Sequence, residues 1–284
     1  MKKFVIVAES GSDITPEVAE RYGIYIAPMH VSFSGTSLDD GTFPASDIFR
    51  HYEKTGELPR TSGCTPQDFF TLFDRIHEEE PEAHIVYLAY SACTTCSYES
   101  ALIAAQDRDY VTAIDTKSVS SGQGLVVTNV ARFLESNPDV SIDELVAYIN
   151  NQIKQVRMMF IPGGLEFLRA GGRLSNGAYL GAQLLRIKPV VEIVDGKLIA
   201  TKKMRGSMEK ACAQATDAFL SENNPDTTRV ILIRNEGLSE SIQEMAYNRM
   251  KEAGFKEIDW VNTGCVISSH CGPGSYGVAL IAAE

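Results

Sequence analysis

The sequence has too little positive charge for a nucleic-acid surface. Its 26 lysines and arginines stand against 37 aspartates and glutamates in 284 residues, a formal net charge of −11. Recognition of a phosphate backbone needs a basic field, so general nucleic-acid binding is set aside. Long apolar runs are also missing: none approaches the roughly 20 residues that a membrane helix requires. Residues 1–9, MKKFVIVAE, hold a short apolar stretch that closes on Glu9. A signal peptide needs a longer one and a small-residue cleavage site. A buried first strand is expected there instead. The expectation is a cytoplasmic protein without integral membrane association. Its six cysteines, Cys64, Cys93, Cys96, Cys212, Cys265 and Cys271, are then mostly reduced thiols. There is no low-complexity tract, internal repeat or Pro/Gly/Ser linker.

What is present is the patterning of a folded α/β chain. Hydrophobic residues at 44% and charged residues at 22% exclude disorder on composition. In the first half, β-type runs at 4–8, 24–33, 85–89 and 111–115 alternate with helical patterns at 15–22, 45–54, 66–78, 98–106, 123–134 and 142–156. Asp13 or Thr15 is expected to cap the first helix, and Pro66 to open the third. Strands separated by helices predict a doubly wound, mainly parallel sheet. The second half reads differently. A strand at 158–161 and a short helix at 165–169 lead to the break Gly171-Gly172-Arg173, and a helix follows at 179–185. Two β-type runs within 189–200 flank Asp195-Gly196, a strong hairpin signal. Helices at 208–220 and 242–253 and strands at 229–234, 266–267 and 278–282 complete an α+β unit with a smaller sheet. The boundary is placed near residue 157, giving domains 1–157 and 158–284.

Candidate chemistry is sparse. Cys93-Thr94-Thr95-Cys96 lies after a strand and before a helix, where a redox CxxC would stand. A single CxxC is half of a four-cysteine zinc site, and two small packed thiols are the simpler reading. Glycine-rich segments at 10–13, 122–124, 163–164, 171–172 and 272–274 fall at expected element ends and read as turns or helix stops. No GxxxxGK[ST] loop occurs, and no GxSxG elbow surrounds Ser118, Ser120 or Ser121. His270 stands alone before Gly-Pro-Gly, and a lone histidine is more often a structural hydrogen bonder than a catalyst. Arg173, Lys202, Lys203 and Arg205 are positive in an acidic chain, and a solvated face accounts for them. No catalytic residue, metal ligand or cofactor is assigned.

Eight short segments, taken in order, are similar to the DegV family. They are Glu9-Ser10-Gly11-Ser12-Asp13; Thr61-Ser62 before Thr65-Pro66; Ser97-Tyr98-Glu99-Ser100-Ala101 after Cys96; and Asp115-Thr116 followed by Gly122-Gln123-Gly124. Then come Gly171-Gly172-Arg173-Leu174-Ser175; Ile187-Lys188-Pro189; Lys203-Met204-Arg205; and His270 to Gly274, which ends in Gly-Pro-Gly. Each is weak alone, and the order makes the resemblance specific. It implies two domains enclosing a long-chain fatty acid such as palmitate in a tunnel. The carboxylate is held at hydroxyl groups and presented to a separate fatty acid kinase subunit, which phosphorylates it with ATP. A carrier is implied, not an enzyme in its own right.

The resemblance brings Thr61 and Ser62 to the carboxylate as hydroxyl donors, with His270 as a third donor or as the group that orients a hydroxyl. It brings Arg173 and Arg205 to the tunnel mouth as partner-binding charges. The physics is compatible. A buried methylene gains roughly 0.8 kcal/mol, so an acyl chain favours a closed apolar tunnel, and a desolvated carboxylate needs donors. The sequence departs from the family at the paired serines, which read Ser91-Ala92; Ser91, Thr94 and Thr95 are the candidates for the missing hydroxyl. Cys64, Cys93, Cys96 and Cys271 all neighbour these segments and are expected to stand near the head site as packing residues, with a redox gate as the sharper alternative. Two competing functions are a thiol-dependent redox protein using Cys93 and Cys96, and a lipid sensor without a kinase partner.

Overall fold

A computed structural model describes residues 3–33 and 35–283; Met1, Lys2, Ser34 and Glu284 lie outside the described residues. The apolar run at the start forms strand β1 (Phe4–Glu9), buried from Val5 onward. Helix α1 (Pro16–Tyr22) follows a 3-10 turn at Ser10–Ser12. The Thr15 hydroxyl accepts from Val18 N–H, Pro16 opens the helix, and Gly23 stops it with a positive φ. Then come β2 (Tyr25–Ala27), β3 (His30–Phe33), β4 (Thr36–Asp39), α2 (Ser46–Thr55), β5 (Arg60–Ser62), α3 (Pro66–Glu79), β6 (His84–Ala89), α4 (Ser97–Ala105) and β7 (Val111–Asp115). Strands β2-β1-β6-β7 make an all-parallel four-stranded sheet in that order.

The alternation of side chains along β1 explains the two-sided wrapping. Val5 and Val7 pack with Phe69 and Phe73 of α3. Ile6 and Ala8 pack on the other face with Val126, Val130, Leu145 and Ile149, from α5 (Ser120–Ser136) and α6 (Ile142–Gln155). The sheet is doubly wound as expected. The chain turns to one side of β1 for β2 and to the other for β6, so the switch point lies at the carboxyl ends of β1 and β6. Open α/β sheets place ligands there. The extended run expected at 24–33 divides: β2 joins the parallel sheet, whereas β3 starts a separate antiparallel sheet, β4-β3-β5. Its third strand, β5, was not foreseen, and pairing of Val31 with Thr61 fixes Thr61 in a strand.

The second half comprises β8 (Val156–Ile161), α7 (Leu165–Ala170), α8 (Asn176–Leu184), β9 (Ile187–Val194), β10 (Lys197–Arg205), α9 (Met208–Asn223), β11 (Pro225–Arg234), α10 (Glu240–Glu252), β12 (Glu257–Asn262), α11 (Cys265–Cys271) and β13 (Tyr276–Ala282). Its sheet, ordered β10-β9-β8-β13-β11-β12, has six strands against four in the parallel sheet, so the sheet expected to be smaller is the larger. β12, which the sequence reading missed, extends it by pairing parallel to β11. The Asp195-Gly196 hairpin forms as expected, with φ of 47° and 79° at its tip. Residues 266–267, expected as a strand, lie inside α11. Two β-branched residues express a strand preference too weak to outweigh hydrogen bonds that reach the helix from distant segments.

One face of the six-stranded sheet, with Met159, Leu232 and Leu280, packs on α9 and α10. The opposite face, with Met158, Ile231 and Ile233, belongs to the same apolar cluster as Val5, Val7 and Tyr87 of the parallel sheet. The two sheets therefore share a core. No helix among the described residues is long and apolar enough to cross a membrane.

Candidate binding site between the sheets

A cavity opens between the carboxyl ends of the parallel strands and the inner face of the six-stranded sheet. It encloses about 780 Å³ of space not filled by atoms, part of it open to solvent. Its walls are largely apolar, with Met29, Val119, Phe160, Leu198, Ile233 and Val266. Each segment contributes for a local reason: Tyr90 follows β6, Ser120 opens α5, and Phe160 and Ile233 lie on strands of the six-stranded sheet.

Five of the six residues expected around a headgroup line this cavity: Thr61, Ser62, Thr94, Thr95 and His270. Their hydroxyls differ in what they already bind. Thr61 Oγ1 lies 2.8 Å from His270 Nε2. Thr94 Oγ1 donates to the Ser91 carbonyl at 2.9 Å, so its hydrogen is committed. Thr95 Oγ1 pairs with Ser97 Oγ at 3.1 Å, and Ser97 Oγ in turn accepts from Cys64 N–H at 3.0 Å. Ser62 is exposed at the rim. Ser91 is not part of the lining. It is fully buried behind the cavity, and its hydroxyl donates to Gly196 O at 2.7 Å, pinning the β9–β10 hairpin tip to the loop after β6.

The two arginines separate. Arg173 lines the cavity, and its guanidinium donates to Gly171 O at 2.5 Å and to Thr94 O at 2.7 Å. Arg205 ends β10, exposed, and is not part of the lining. Burial first, and then the Arg173 charge, push His270 down to about 3, so its imidazole is neutral at physiological pH. Its Nδ1 is buried without a hydrogen-bond partner among the described residues and faces Gly171, where an added Cβ would come within 2.1 Å of it. A lone pair tolerates a C–H neighbour better than a buried N–H tolerates having no acceptor. The favoured tautomer therefore carries its proton on Nε2 and donates it to Thr61 Oγ1, which leaves the Thr61 hydrogen free to point into the cavity.

The four thiols do not converge. Cys271 lines the cavity, whereas Cys64, Cys93 and Cys96 do not. All six cysteines are free. Burial pushes the Cys64 thiol well up and Cys271 up to about 12, which disfavours both thiolates. Among the described residues, no three His, Cys, Asp or Glu side chains stand together as a metal site. Residues 272–277, GPGSYG, have the glycine spacing of a dinucleotide-binding turn. They run from helix α11 into strand β13, the reverse of the strand-to-helix order that cradles a pyrophosphate.

Sequence reading missed Tyr90, Ser120, Thr263 and Ser275 in the lining. Tyr90 and Ser120 carry a usable signal, since both follow strands of the parallel sheet at the switch-point end. Beneath the cavity lies a buried acidic network. Glu9 accepts from Tyr87 Oη, from Tyr90 N–H at 3.0 Å and from Gln123 Nε2 at 2.7 Å. Burial pushes Glu9 up to about 7 despite these bonds, and Asp13 likewise to about 7.

Both acids hold a proton more tightly folded than unfolded. Their stabilising contribution is complete below the ordinary carboxylate range and is lost as pH rises through about 7. The unfolding free energy is expected to fall between about pH 5 and pH 8, by roughly 3 kcal/mol for Glu9. Urea titrations across that range check this, and Glu9→Gln should flatten the profile. An unchanged slope in the variant refutes the assignment.

Known proteins share this fold. The family model described as "Uncharacterised protein, DegV family" matches residues 3–283. A DegV domain-containing protein of Caldanaerobacter subterraneus is 27% identical, with 98% of each chain covered. A DegV family protein from Thermus thermophilus, whose structure is described for its fatty acid binding, superposes with a TM-score of 0.85 at 27% identity, covering 99% of this chain and 100% of the other. The Fatty Acid Kinase (Fak) B3 protein of Streptococcus pneumoniae, solved loaded with linoleic acid, shares the fold at 19% identity with a TM-score of 0.86 and full coverage of both chains. The chain belongs to the DegV family.

Proposed function

We propose that the cavity holds one long-chain fatty acid, its acyl chain between the sheets and its carboxylate at Thr61. The observation that carries this reading is the pairing of a neutral histidine with a threonine hydroxyl in a largely apolar cavity. His270 Nε2–H polarises the Thr61 hydroxyl, which donates to the carboxylate. Thr95, whose oxygen is served by Ser97, is the second donor and stands in for the family serine replaced by Ala92; Ser62 closes the rim. Thr94 and Ser91 support the site through the backbone and the hairpin. The relative from Thermus thermophilus, described for fatty acid binding, supports the ligand class.

The chain carries the acid and does not transform it. Donation from uncharged hydroxyls leaves carboxylate electron density available for attack on a phosphoryl group. A fatty acid kinase subunit that uses ATP is the proposed partner. Arg173 at the mouth and exposed Arg205 are its proposed contacts, because rim charges steer association.

Native mass spectrometry of the purified protein tests the ligand class. The expected spectrum shows one fatty acid per chain. A protein that is bare as isolated and binds no long-chain acid on titration overturns the proposal.

A further inference from the structure

The geometry points to Asp13 and Asp40 as positioning residues for the headgroup site: from two separate segments they clamp the start of α11 and so set where His270 stands. This rests on the fatty acid reading of the cavity. Helix α11 has seven residues, too few to persist alone, and Gly264, its N-cap, offers no side-chain cap. The orphan N–H groups of its first turn are met from far along the chain. Gly264 N–H donates to Asp13 Oδ1 at 2.7 Å across 251 residues. Cys265 N–H donates to Asp40 Oδ1 at 2.7 Å, and Val266 N–H approaches the same oxygen at 3.4 Å. Gly264 is the residue that lets both acids in. A Cβ there would meet the two Asp40 oxygens at 3.1 and 3.3 Å and Asp13 Oδ1 at 3.6 Å.

Both carboxylates are buried, burial pushes both upward, and the Asp40 charge adds to the rise at Asp13. Two nearby buried acids are an expensive way to fill space. What they gain is the positive end of a helix and its unpaired N–H groups. One face of that helix belongs to the cavity: Val266, Ile267 and Cys271 line it, and His270 sits one residue from its end with Nε2 on Thr61. At 1.5 Å per residue the helix is a rod of about 10 Å. A shift at its first turn is carried to the imidazole. Asp13 also accepts from the Ser120 hydroxyl, so it ties the start of α5, another lining segment, to the start of α11.

The test uses ligand-free full-length protein with Asp13→Ala, Asp40→Ala, and the asparagine variants of both, which keep an acceptor oxygen for the N–H groups. Three quantities are read: thermal midpoint, the ¹⁵N resonances of the His270 ring, and palmitate affinity by titration. The alanine variants are expected to shift the Nε2 resonance and weaken palmitate binding about tenfold. The asparagine variants should recover most of both. Lower thermal midpoints with His270 resonances and palmitate affinity as in the wild type would reduce the acids to a structural role and overturn the proposal. If the alanine variants do not fold, Gly264→Ala, which crowds the same oxygens, decides by the same ring resonances: a shift supports the clamp, and unchanged resonances overturn it. If wild-type protein binds no palmitate, the ligand assignment fails, and the ring resonances alone still decide whether Asp13 and Asp40 place His270.

Discussion

Replacing Thr61 with valine is expected to weaken long-chain fatty acid binding by roughly ten- to a hundredfold while the fold survives. The change keeps the shape of the side chain and deletes the hydroxyl, and a hydrogen bond to a charged group is worth about 1.5–3 kcal/mol. Thr61 sits in β5, paired to Val31 through the backbone, so its side chain is not needed to keep the strand in place. His270→Ala should have a comparable effect by a different route. It removes the Nε2–H that fixes the Thr61 hydroxyl, so the donor is present but free to rotate. The imidazole, pushed down to about 3, stays neutral from pH 5 to pH 8. Titration of His270 should therefore add no inflection to wild-type affinity in that range, and any inflection near pH 7 belongs to Glu9 or Asp13. Titration of a labelled acid against wild type and both variants at several pH values reads all of this. Unchanged affinity in both variants would remove Thr61 and His270 from the carboxylate site.

The second large effect concerns the acyl chain. Leu198 stands on β10 just past the hairpin tip and faces the cavity while remaining half-buried. Leu198→Asp places a carboxylate against the proposed path of the chain. Without ligand, water can solvate it; with an acyl chain bound, it must be desolvated without a partner, at a cost of several kcal/mol. Affinity is expected to fall about a hundredfold or more, with little loss of stability because the hairpin lies at the edge of its sheet. Leu198→Met, similar in volume and apolar, should bind as the wild type does. Calorimetric titration of both variants separates charge from shape. Binding by the aspartate variant at wild-type strength would show that the acyl chain runs elsewhere.

Much of the fold was legible because the signals involved are local. Thr15-Pro16 starts a helix and Gly23 ends it by hydrogen bonds and dihedral preferences within a few residues. Asp195-Gly196 makes its hairpin because both tip residues accept a positive φ. The four parallel strands were read from apolar runs between amphipathic helices. Where the reading failed, the deciding partner was remote. Val266 and Ile267 looked like a strand and became helical where Asp13 and Asp40 hold the start of that turn. Strand β12 is short, with Ile258, Trp260 and Val261 interrupted by Asp259, and exists because β11 offers it an edge. Ser91 neighbours the missing family serine, which marks it as a ligand contact, yet its hydroxyl is used by a hairpin 105 residues later in the chain.

By itself, then, the sequence determined the helices other than α11, the parallel sheet, the hairpin and the family, since all four are written in short-range periodicity, turn chemistry and the order of small motifs. Only the tertiary structure decided which of those motif residues share a cavity and what their hydroxyls are free to do. Thr61 and His270 are 209 residues apart and meet at 2.8 Å. Thr94 lines the same space with its hydrogen already spent on Ser91. Four cysteines that neighbour the motifs part company, with one in the cavity wall. A hydrogen bond is sensitive to tenths of an ångström and tens of degrees, and that precision comes from how two sheets pack around a shared core, which no local pattern encodes.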